Sequence, residues 1–127
     1  MTTEEKVAIG KRFHDALTAR DWPAIRALLT DDAKWVLPGD NLISGKAVGA
    51  DDVTARAQKI AGFGLTFTLE RILVSQDNFA LSLHNTATRQ GRILDEHLAT
   101  VCFLRAGKIA AIETYLSDVD GMNAVFV

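Results

Sequence analysis

The apolar residues of this chain change their spacing once, and that change limits the fold more than any other feature. In the first half they recur at intervals of three and four, the period of a helix face. After Gly62 and Gly64 the interval becomes two: Leu65, Phe67 and Leu69 alternate with Thr66, Thr68 and Glu70. Three further strands are predicted over about 78–90, 93–105 and 108–118, with Gln90-Gly91 and Ala106-Gly107 at the reversals. Connections this short join antiparallel neighbours, because parallel strands need a long crossover. Helices followed by a four-strand meander make an α+β chain with its helices on one face of a sheet.

Local signals divide the helical half. Thr2 and Glu5 have the spacing of a capping box, which satisfies the first free N–H groups of a helix from both ends. Val7, Gly10, Phe13, His14 and Leu17 form one face of that helix. Asp21 can cap a second helix, with Pro23 tolerated in its first turn. Trp22, Ile25, Leu28 and Leu29 give it an apolar stripe that stops near Thr30, Asp31 and Asp32. Residues 33–38 (AKWVLP) read as a short strand, and Gly45 and Gly49 keep the next stretch irregular. A third helix is expected from Asp51 or Asp52, burying Val53, Ala57, Ile60 and Ala61.

Composition excludes several classes. The chain has 127 residues, with 14 Lys and Arg against 16 Asp and Glu. That balance argues against a nucleic-acid binder or a polybasic membrane-surface protein. No apolar run reaches the ~20 residues of a membrane span, and the N-terminus lacks the basic-then-apolar order of a signal peptide. A cytoplasmic chain with one domain over 1–127 is expected. The single cysteine, Cys102, excludes an internal disulfide and reads as an inert buried thiol. The glycines of SGKAVG do not form a phosphate loop. The three histidines, His14, His84 and His97, lack the close helical spacing of a metal site. No metal or organic cofactor is expected.

Three segments carry a family resemblance: RFHDALTARDWPAIRALLTDDAKWVLPG, ISGKAVGADDV and RAGKIAAIETYLSD. With the order of elements around them, the chain resembles the nuclear transport factor 2-like superfamily, in its SnoaL-like polyketide cyclase and ketosteroid isomerase-like branch. The resemblance implies a cone, with three N-terminal helices packed in a strongly curved antiparallel sheet around a deep pocket. It also implies departures from ketosteroid isomerase. Phe13 stands where that enzyme has a Tyr, Leu37 stands before Pro38 in place of the base Asp, and the second acid falls near Ala99 or Thr100. Without a base and an oxyanion donor, steroid isomerisation is not expected. The resemblance to the cyclases places Asp118, in ETYLSD, over their acid/base Asp.

The residues themselves suggest a site, each with a plainer reading beside it. Ile112, Thr114, Leu116 and Asp118 share one strand parity, and the family resemblance, matched at the Gly107-Lys108 turn, implies that this face points inward. Asp118 then reads either as a proton shuttle or as a strand-end cap for the next turn. Asn85 and Arg89 continue the inward face of Leu81 and Leu83. Asn85 can orient a carbonyl or sit satisfied in a core. Arg89 can hold an enolate or snorkel at the sheet end. His14 paired with Asp118 would match the His-Asp pairs of some relatives, and an ordinary histidine is the plainer reading. Trp22, Trp35, Phe63 and Phe67 are aromatic wall candidates or core. Phe13, Thr100, Thr114 and Leu116 complete the expected ligand wall.

Val101 and Phe103 are apolar on one face of a strand whose other face, Cys102 and Leu104, is apolar too. Such a strand needs the helices inside and a second subunit outside, so a homodimer is expected. The expected function is binding of a small hydrophobic ligand, as a cofactor-independent isomerase, cyclase or lyase on a carbonyl compound. A non-catalytic ligand-binding or assembly domain is the alternative.

Overall fold

Thr2 opens helix α1 (Thr3–Ala19) with the expected reciprocal cap: the Thr2 hydroxyl accepts from Glu5 N, and the Glu5 carboxylate accepts from Thr2 N. The structure is a computed structural model describing all 127 residues. Along α1, Ile9, Gly10, Phe13, Ala16 and Leu17 are buried. At Gly10 the helix lies so close to the sheet that a Cβ would sit 3.2–3.3 Å from Leu81, Ile72 and Phe79. A side chain there would push α1 off its seat. Asp21 caps α2 (Trp22–Ala27) by accepting from Ala24 N. This helix is shorter than its stripe suggests, because Leu29 already belongs to the first strand.

The strands are β1 (Leu29–Leu37), β2 (Gly45–Val48), β3 (Thr66–Val74), β4 (Phe79–Arg89), β5 (Arg92–Arg105) and β6 (Lys108–Leu116). They form one open sheet in the order β2-β1-β6-β5-β4-β3. The four-strand meander is present with its expected turns. Gln90-Gly91 and Ala106-Gly107 all have positive φ, the backbone that tight hairpins require. Bulges between Leu69 and Arg71 and between Phe103 and Leu104 shift the ladders, and such irregularities bend a sheet around what it covers.

Four expectations need correction. The sheet is mixed, because β1 runs parallel to β6. The helices are not grouped ahead of it: β1 and β2 separate α2 from α3 (Ala50–Ala61), and α4 (Val119–Val125) closes the chain. Helix α3 starts from Gly49, and Asp51 and Asp52 lie within its first turn, where they complement the helix dipole. The stretch between Gly45 and Gly49 is the edge strand β2, exposed and short.

The core lies between the helices and the inner face of the sheet, where Ile25, Leu29, Leu81, Cys102, Ile109, Ile112 and Phe126 are at most 1% exposed. Burial pushes the Cys102 thiol pKa far up, so it stays protonated and unreactive. No helix is long and apolar enough to cross a membrane.

Candidate functional site

The inner face of the sheet does not pack solidly against the helices. A cavity of about 40 Å³ remains, lined by 15 residues of which 12 are hydrophobic. The parity of β4 turns Leu83 and Asn85 into it, and β5 contributes Leu98 and Thr100. Helix α1 adds Phe13 and Leu17, while Trp35 and Leu37 come from β1. Met122 of α4 covers the space. A void of this size holds water or a guest of a few atoms. Pockets for drug-sized ligands run to roughly 300–1,000 Å³.

Its polar groups are few, and one is unmatched. Trp35 Nε1 donates to Thr114 Oγ1 at 3.0 Å, and Thr114 Oγ1 lies 3.3 Å from Thr100 Oγ1. These three groups satisfy one another. Asn85 is 5% exposed, and its Oδ1 has no hydrogen-bond partner. An unpaired amide in an apolar wall costs about 1–3 kcal/mol, so it calls for a partner from outside the chain.

A buried carboxylate stands across the ladder. Glu96 pairs with Asn85 between β4 and β5 and is 1% exposed. Glu96 Oε1 accepts from Ser117 Oγ at 3.2 Å and from Asp118 N at 3.1 Å. No ion pair reaches it. The sequence reading missed Glu96, although it shares strand parity with Leu94, Leu98 and Cys102, which are inward residues of the same strand.

The cavity brings together Phe13, Trp35, Phe67, Asn85, Thr100 and Thr114 from the expected set. The other expected residues lie elsewhere. Asp118 does not enter the cavity, because β6 ends at Leu116 and the strand parity stops with it. Its side chain is exposed and caps α4, with Oδ1 accepting from Gly121 N at 2.9 Å. The plainer reading is the one its geometry supports. Replacing the cap with Ala is expected to cost about 1 kcal/mol in denaturant unfolding. Asp118→Asn should unfold like wild type, because Asn caps equally well.

Arg89 does not line the cavity either. Its Nη1 donates to Val125 O at 2.8 Å and Val127 O at 3.1 Å, and its guanidinium lies 4.6 Å from the Phe63 ring centre. Phe63 meets Phe126 edge-on at 4.9 Å. Arg89 and Phe63 therefore clamp the C-terminal segment. Trp22 and Leu116 pack half-buried against the core outside the cavity. His14 is also half-buried outside the lining; its Nδ1 lacks a partner, and burial lowers its pKa, which keeps it neutral at pH 7.

The helical spacing test for metal ligands also missed an arrangement. His84, Asp95 and His97 present ligand atoms all within 4.8 Å of one another, on the opposite face of the sheet from the cavity.

Comparison with known proteins gives consistent findings. A family model described as SnoaL-like domain matches residues 11–112. An uncharacterized protein of Mycobacterium tuberculosis strain H37Rv is 24% identical over 122 residues, covering 93% of each chain. Among solved structures, Bal32a from a soil-derived mobile gene cassette superposes with a TM-score of 0.92 at 23% identity, covering 98% of both chains. An NTF2-like protein from Burkholderia xenovorans LB400 superposes at 0.87 with 20% identity, over 100% of this chain and 99% of the other.

Proposed function

The chain belongs to the SnoaL-like domain family, and from that premise we propose that it binds a small, mostly apolar carbonyl compound in the cavity around Asn85, without a cofactor. The observation behind this reading is the unpartnered Asn85 amide inside an otherwise apolar wall. An amide offers both a donor and an acceptor, so it can meet a ketone oxygen or an enol hydroxyl. Phe13, Trp35 and Phe67 supply flat apolar surface around it. The small volume favours a compact guest. A larger one requires Met122 and α4 to move.

The test is a nuclear magnetic resonance titration with cyclopentanone and with cyclopentane. The ketone should bind more tightly than the hydrocarbon, and Asn85→Leu should erase that difference. Equal binding of both by the wild-type chain would contradict the reading.

A catalytic reading goes further and rests on Glu96. Glu96 is 1% exposed and opposite Asn85 on the inner side of the ladder, just outside the cavity lining, and in this reading it exchanges a proton with a carbonyl compound that Asn85 orients. The reaction would be an isomerisation, cyclisation or elimination. The non-catalytic alternative keeps the ligand and leaves Glu96 as an anchor for Ser117 and the start of α4.

The proposal includes a cytoplasmic homodimer formed through the outer sheet face. Leu73 and Phe103 are 54% and 38% exposed there, beside Val101. A second copy would cover them. Phe103→Glu is expected to give a monomer in size-exclusion chromatography. A wild-type chain that elutes as a monomer at micromolar concentration would remove this part of the proposal.

A further inference from the structure

We propose that His84, His97 and Asp95 form a binding site for a divalent transition-metal ion, with zinc as the best match, on the outer face of the sheet. The hairpin places the ligands. His84 on β4 and His97 on β5 are directly opposite in the ladder, and Asp95 shares the outer face of β5 two residues before His97. His97 directs its backbone away from β4: its N–H donates to Ser117 Oγ, and its carbonyl accepts from Ser117 N. The His84–His97 pair is therefore a non-hydrogen-bonded pair, the type with the closer side chains. The two imidazoles stack with centroids 4.1 Å apart and planes 10° from parallel.

The donor set fits the ion. Two imidazole nitrogens and a carboxylate oxygen are zinc ligands of ordinary kind, and three protein ligands leave a fourth position for water. Glu70 on β3 lies beside them, with Oε1 3.6 Å from His97 Nδ1. Ligand atoms around tetrahedral zinc stand about 3.3 Å apart, from metal–nitrogen bonds of about 2.0–2.1 Å. The three here lie within 4.8 Å of one another, on side chains that are 32%, 68% and 59% exposed for His84, Asp95 and His97. Rotation about exposed side-chain bonds closes that gap without moving the strands. The His84 ring contacts the Asp95 carboxylate, and His97 faces Glu70. These contacts hold the ligands together before an ion arrives. The site lies on the other side of the sheet from the cavity, so the ion is no participant in the chemistry proposed there.

The test is a zinc titration of the untagged full-length chain, stripped with EDTA and desalted, in competition with a chromophoric chelator. One ion per chain should bind saturably. His84→Ala and His97→Ala should each weaken binding by about tenfold or more, and Asp95→Asn should weaken it too. All three changes are on exposed or half-exposed positions, and circular dichroism would verify that each variant folds. Asp120→Asn, outside the cluster, should titrate like wild type. Cobalt(II) in place of zinc should give visible absorption bands that are lost in His97→Ala. Absence of saturable zinc binding below millimolar concentration, or wild-type binding by the His84→Ala/His97→Ala double variant, would overturn the proposal.

Discussion

Asn85→Leu should make the protein more stable and abolish its preference for a carbonyl ligand. The wild-type side chain keeps a buried Oδ1 without a partner. Removing such a group recovers its desolvation cost, about 1–3 kcal/mol, and leucine adds apolar contact with the cavity wall. The extra volume of leucine has somewhere to go, because the cavity adjoins the position. Each kcal/mol should raise the melting temperature by roughly 3–6 °C in a chain of this length. Stability and binding therefore move in opposite directions, as expected where a polar group is retained for use and not for folding. A loss of stability in Asn85→Leu would mean that the amide is already satisfied in solution by an ordered water.

Two variants of Glu96 should separate its anchoring from its chemistry. Glu96→Ala removes the acceptor of both Ser117 Oγ and the Asp118 N–H. It also leaves a void on the inner face. The expected cost is about 2–4 kcal/mol, read by denaturant unfolding. Glu96→Gln keeps an acceptor oxygen at the same place and removes the ability to take a proton. It should fold like wild type. If the catalytic reading holds, it should lower turnover of a carbonyl substrate by about 10²–10⁴-fold, the usual contribution of a general base. Undiminished turnover in Glu96→Gln would leave Glu96 as an anchor and favour the non-catalytic alternative.

Local signals were legible in the sequence because local chemistry sets them. The Thr2–Glu5 box, the Asp21 cap and the two hairpin turns occur where the residues require them. Strand parity put Asn85 and Thr114 inward, where the cavity has them. Parity failed at Asp118, since it holds only while the strand lasts, and β6 stops two residues earlier. The parallel pairing of β1 with β6 left no local trace, because β2, α3 and three strands of the meander separate the two in the chain. The β2 strand, GKAV, has neither alternation nor length enough to distinguish it from a loop. Glu96 and the His84–His97 pair were readable and were missed. Counting outward from Gln90-Gly91 places 89 opposite 92, and the same count sets 84 opposite 97 and Asn85 opposite Glu96. The search for metal ligands used helical spacing, which cannot see residues brought together across a hairpin.

The central claim is that Asn85 is held without a partner so that a ligand can supply one. A crystal structure of the wild-type chain grown with cyclopentanone tests it most directly. The account predicts the ketone inside the cavity, against Phe13, Trp35 and Phe67, with its oxygen within hydrogen-bonding distance of the Asn85 amide. Ketone bound only outside the cavity, with Asn85 paired to a protein group or to an undisplaced water, would contradict it.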